Sequence, residues 1–121
     1  MMERKNTMLT IYHNPRCSKS RQTLSLIEES GHQPTIVRYL ETPLSESDVR
    51  QLLSMLSLTA RDIIRKGEDA YKEAGLADTT LSEDALINAI VKHPKLLERP
   101  IVSKGERAII GRPPENVLAL L

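Results

Sequence analysis

The chain has 121 residues, one cysteine, no phenylalanine and no tryptophan, a length that suits a single domain with its own core. Its 17 Lys and Arg against 16 Asp and Glu leave a formal net charge of +1, and three tyrosines are its only aromatics; without a global field or stacking platforms, recognition of nucleic acid or an anionic membrane surface is not expected. No apolar run approaches membrane-spanning length, the segment Met1 to Thr7 lacks the apolar core of a signal peptide, and the lone thiol has neither a disulfide partner nor metal-ligand company, so a cytoplasmic protein without a metal is expected.

In chain order, Met8-Leu9-Thr10-Ile11-Tyr12 reads as a strand. A helix follows over about Ser20 to Ser30, with Leu24, Leu26 and Ile27 as its apolar residues and Gly31 as its stop. Thr35 to Tyr39 is β-branched and aromatic, a second strand, so the first third is a βαβ unit with a right-handed crossover. Ser45-x-x-Asp48 is a capping box for a helix through Leu52, Leu53 and Leu56. Thr59 and Asp62 begin a short helix ending near Arg65-Lys66-Gly67, and another covers Asp69 to Ala74 before Gly75. A further helix opens at Ser82-Glu83-Asp84 and buries Leu86, Ile87, Ile90 and Val91. Arg99 to Ile110 reads as a hairpin turning at Gly105. Pro113-Pro114 starts a last helix that packs through Val117, Leu118 and Leu121. The order β-α-β, helices, β-β-α defines an α/β chain, one domain over 1–121 with a helical block inserted at about 44–97.

The chemistry concentrates where the first strand gives way to the first helix, at His13-Asn14-Pro15-Arg16-Cys17-Ser18-Lys19-Ser20-Arg21. A thiol at a helix N-terminus meets the positive end of the macrodipole and unpaired backbone N–H groups, which favour thiolate. Arg16, Lys19 and Arg21 add positive charge, and the same N–H groups suit an oxyanion. His13 ends the strand and is placed to tune the thiolate, although a buried histidine satisfied near the sheet end is an equal reading. Ser20 stands where a dithiol oxidoreductase carries its second cysteine, so the chain is monothiol and needs an external thiol for regeneration. A phosphatase-type loop is excluded, because its arginine position is held by Thr23. Arg65, Arg99 and Arg112 recur at element boundaries, where planar guanidinium groups bind oxyanions bidentately; by sequence physics alone, a solvated charge or weak ion pair is the commoner reading of each, and nothing in the sequence shows that they converge.

Taken together, Ile-Tyr-His-Asn-Pro-x-Cys with the Ser-Arg that follows, Tyr39-Leu40-Glu41-x-Pro43, Arg65-Lys66, His93-Pro94, Arg99-Pro100-Ile101-Val102 and Arg112-Pro113 resemble the glutaredoxin-dependent arsenate reductase family over Met8 to Leu121, most of all its shorter YfgD-like members. The resemblance implies a thioredoxin-like fold with an inserted helical subdomain. It implies that Cys17 attacks arsenate, that Arg65, Arg99 and Arg112 hold the oxyanion, and that glutathione as co-substrate and glutaredoxin as partner complete the reduction, with no bound cofactor. It assigns His13 to lowering the thiol pKa, Ser20 to a hydrogen bond with the thiolate, and Pro100 to a structural cis-proline. Ser18-Lys19 stands where plasmid-borne reductases carry Gly-Thr, and their C-terminal extension has no counterpart before Leu121.

Two other readings use the same thiol. The Spx regulators share this fold and bind RNA polymerase through a Cys-x-x-Cys switch, which Ser20 removes here. A general glutathione-linked thiol transferase needs Cys17 but gives three arginines no task.

Overall fold

The computed structural model describes residues 8–121, so the polar segment ahead of Met8 lies outside it. The chain divides into two units, one formed by the N-terminal part up to Tyr39 together with Arg99–Leu121, the other by Leu40–Glu98.

The first unit holds β1 (Leu9–Tyr12), α1 (Ser18–Glu29), β2 (Thr35–Val37), β3 (Ile101–Lys104) and β4 (Arg107–Ile110), with a 3₁₀ helix at Pro114–Leu120. The sheet runs β2-β1-β3-β4. β1 lies parallel to β2, with Ile11 opposite Ile36, and antiparallel to β3, with Ile11 opposite Val102. Leu9 and Ile11 alternate inward from β1 as the two-residue strand period requires. They join Ile27, Val102, Val117 and Leu120 in one core, with Leu24 and Leu26 at its edge. Gly31 closes α1 at φ +87, and Gly105 turns the β3–β4 hairpin at φ +64, conformations that cost glycine nothing. This α/β arrangement is a thioredoxin-like fold.

Two expectations change here. β2 stops pairing at Val37, although Tyr39 beyond it is buried. The last helix is 3₁₀ throughout, and Val117 and Leu120 carry its packing, whereas Leu118 is 51% exposed. Its buried residues, Pro114, Val117 and Leu120, recur every third position; a helix of three residues per turn stacks that spacing on one face, and an α-helix would splay it.

The second unit is helical: α2 (Glu46–Leu56), a 3₁₀ turn Ala60–Ile63, α3 (Asp69–Glu73), α4 (Glu83–Lys92) and a 3₁₀ turn Pro94–Leu96. Ser45 and Asp48 form the capping box of α2, and the Ser82 hydroxyl accepts the Ala85 N–H of α4. Val49, Leu52 and Leu53 of α2 and Leu86, Ile87, Ala89 and Ile90 of α4 are buried. Val91, expected on that face, is only partly covered. The helix expected after Thr59 ends at Ile63, because Ile64 turns extended and bridges antiparallel to Leu97. The Pro94–Leu96 turn that leads into that bridge had no expectation of its own. Among the described residues no helix is long and apolar enough to cross a membrane, and no group of His, Cys, Asp or Glu is placed to hold a metal ion.

Candidate active site

β1, an inner strand, delivers the chain to a loop at its C-terminal end, and α1 begins at once, with Cys17 as its N-cap residue in extended conformation (φ −93, ψ 123). That backbone follows from the sequence. His13 N–H pairs with the Val37 carbonyl and extends the β1–β2 ladder, Asn14 accepts the Arg16 N–H on its side-chain oxygen, and Asn14 C=O accepts the Cys17 N–H. The loop is therefore a short, hydrogen-bonded turn that sets the thiol over the first turn of α1.

Cys17 is buried to 9% exposure. Burial alone pushes its thiol up, but the Ser20 N–H, the Arg99 guanidinium, the Lys19 N–H and the Arg112 guanidinium all favour thiolate, and the net pKa falls below the ordinary thiol value. Arg112 Nη1 lies 3.9 Å from Sγ and 3.5 Å from the Arg99 carbonyl oxygen. The cations that acidify the thiol thus come from the segments flanking the β3–β4 hairpin, in place of the loop residues Arg16, Lys19 and Arg21. Arg21 instead donates to the Pro15 carbonyl at 2.9 Å.

His13 is buried, with Nδ1 2.7 Å from the Ser20 hydroxyl oxygen, which also accepts the Asn14 N–H at 3.1 Å. Burial first, then Arg38 and Arg21, lower the His13 pKa against the opposing pull of Glu28, so the imidazole is neutral near pH 7. A neutral ring lends the thiolate no charge. It fixes Ser20, whose backbone N–H is the strongest single influence favouring thiolate. The hydroxyl assigned by resemblance to the sulfur is engaged with His13 and Asn14, and the main chain of the same residue serves the sulfur instead.

Arg99 precedes β3 and Arg112 follows β4, so both flank the hairpin whose first strand pairs with β1. Pro100 is buried between Arg99 and β3, and the Arg99–Pro100 and Arg112–Pro113 peptides are cis. Arg65 belongs to the Leu40–Glu98 unit, where its guanidinium pairs with the carboxylate of Glu68 and its N–H bonds the Leu96 carbonyl at 2.7 Å. Gly111 has no place in the expectations from sequence, and Thr23 enters them only as the residue that excludes a phosphatase-type loop. The only trace of its packing is its place three positions after Ser20 and four before Ile27, on the stripe that α1 buries.

Alkylation by iodoacetamide tests the thiolate. Because the folded pKa is lowered, reactivity should persist as pH falls through about 8.5, the free-cysteine value, and be lost only below it. A midpoint at or above 8.5 would remove the activated thiol.

The arrangement is a monothiol nucleophile with backbone donors and guanidinium groups beside it, suited to attack on an oxyanion. The ArsC family model matches residues 12–120. The Escherichia coli (strain K12) protein YfgD is 56% identical over 92% of this chain and 94% of its own. An arsenate reductase of Neisseria meningitidis (serogroup A) is 49% identical over 93% and 97%. The solved arsenate reductase of Vibrio cholerae superposes with a TM-score of 0.92 at 47% identity, covering 97% of this chain and all of that one. On its motifs, its fold and these relatives, the chain belongs to the ArsC family.

Proposed function

We propose that this protein is a cytoplasmic arsenate reductase that draws its electrons from glutathione and glutaredoxin. The observation that carries the reading is the acidified Cys17 with Arg112 at 3.9 Å from its sulfur and Arg99 also favouring its thiolate; relatives named arsenate reductase support it. The Cys17 thiolate attacks arsenic, an As–S bond forms, and one arsenate oxygen takes up protons and leaves as water. Arg99 and Arg112 hold the remaining oxygens and offset the charge that builds on them. A glutathione thiolate then attacks Sγ; the S–S bond forms as the As–S electron pair returns to arsenic, which departs as arsenite. Glutaredoxin reduces the mixed disulfide, because the chain has no second cysteine to do so. His13 and Ser20 keep the first turn of α1 aimed at the sulfur throughout.

The test is arsenate-dependent NADPH oxidation by the pure protein with glutathione, glutaredoxin and glutathione reductase, with phosphate as a competing anion. Steady turnover that stops when either glutathione or glutaredoxin is omitted is the expected result. Sustained reduction with thioredoxin and thioredoxin reductase alone would overturn the glutathione route, and no arsenate dependence at all would favour the general thiol transferase.

A further inference from the structure

Behind the thiol, three elements of the first unit meet at one backbone position. Gly111 lies between β4 and Arg112, and its N–H donates to the Pro100 carbonyl at 2.9 Å. A Cβ built on Gly111 would stand 2.6 Å from Thr23 Oγ1, 3.1 Å from Thr23 Cγ2 and 2.9 Å from Pro100 Cγ. Carbon atoms in contact settle at about 3.5–4.0 Å, so a methyl group there is short of room by roughly an ångström. Neither neighbour has slack: Thr23 is fully buried, its hydroxyl held by the Lys19 carbonyl at 2.8 Å and lying 3.4 Å from the Gly111 carbonyl, and Pro100 is a buried ring. Lys19 is in the α1 turn whose N–H groups favour the thiolate.

We propose that Gly111 is a positioning residue for the Cys17 site: having no side chain, it lets the backbone entering Arg112 lie against Thr23 and Pro100, and so holds the Arg112 guanidinium at the sulfur. Thr23 ties the helix that carries the thiol to the segment that carries the guanidinium, and Gly111 is the seat on which the tie closes. A side chain at 111 separates the two. The distance that suffers is the 3.9 Å between Arg112 Nη1 and Sγ, and the attraction it carries weakens as that distance grows.

The Cys17 titration, followed by ultraviolet thiolate absorbance, reads this distance without any substrate, so the result stands whether or not the protein reduces arsenate. Other groups acting on that titration are Arg99 and the Ser20 and Lys19 N–H groups, and a double-mutant cycle separates them. Arg112→Ala should raise the midpoint by about one unit, and Gly111→Ala by roughly half of that on the same scale. In the Arg112→Ala background, Gly111→Ala should add nothing. A wild-type midpoint in Gly111→Ala, or an equal shift whether or not Arg112 is present, would overturn the assignment. If Gly111→Ala does not fold, Thr23→Ser, which removes Cγ2 and loosens the same seat, should give a smaller rise that Arg112→Ala abolishes; an unchanged midpoint, or a rise that persists without Arg112, overturns it equally.

Discussion

Arsenate turnover should fall to background in Cys17→Ser and by about 10²-fold or more in kcat/KM in Arg99→Ala and Arg112→Ala, a loss of about 2.7 kcal/mol of transition-state stabilisation for each arginine. The serine hydroxyl is too weak an acid to supply an anion where the thiol does. The two arginines favour the thiolate in the resting protein and, in the proposed reaction, would also offset the charge of the oxyanion. Lysine in their place keeps the charge but not the planar fork, so Arg99→Lys and Arg112→Lys should recover only part of the rate. Arg107, exposed on β4 and in register with Lys104, is the internal control. Equal losses in Arg107→Ala and Arg99→Ala, or near-normal rates in both site variants, would sink the oxyanion role.

Ile27→Ala should cost about 2–5 kcal/mol of unfolding free energy, a large part of the 5–15 kcal/mol that holds a typical domain. Ile27 has no exposed surface and packs with Leu9, Ile11, Val102, Val117 and Leu120, so truncation leaves a cavity where helix, sheet and the C-terminal 3₁₀ helix meet. Urea unfolding followed by circular dichroism measures it. Ile36→Ala, at a residue 43% exposed on the edge strand, should stay within about 0.5 kcal/mol of the parent. Similar losses at the two positions would mean that the core is not where the burial places it.

The fold was legible where local chemistry and long-range packing agree. The capping boxes, the glycine stops and the β-branched strands each name an element, and the βαβ unit and the hairpin follow from their order; the pairing of β1 with β3 that joins the two does not. It was less legible where tertiary contact decides, as in the three-residue stacking of Pro114, Val117 and Leu120 or the bridge from Ile64 to Leu97. The thiol was visible from its place at a strand-to-helix junction. So were the first-turn N–H groups that favour its anion, which Ser20 and Lys19 supply; the cations were not, since sequence proximity nominated Arg16, Lys19 and Arg21 while folding delivers Arg99 and Arg112. The tight seat of Gly111 escaped for a related reason: a missing Cβ acts through geometry that no residue type announces.

The wide sequence gap between the thiol and its guanidinium gives the chain a chemical clock. Cys17 and Arg112 are 95 positions apart, and β1 waits for β3, with Thr10 opposite Ser103. A ribosome adding about 5–20 residues per second exposes the cysteine on the order of ten seconds before the arginines that acidify it exist. Throughout that interval the thiol lacks the two guanidinium charges that favour its anion in the folded chain, and with them part of its exposure to peroxides and electrophiles. Only when the hairpin segments meet β1 do the Arg99 and Arg112 guanidinium groups add their pull to that of the Ser20 and Lys19 N–H groups, and by then the sulfur is buried at the start of α1. Long sequence separation, usually counted as a burden on folding speed, here puts off the guanidinium share of the thiol's acidity until the fold is complete.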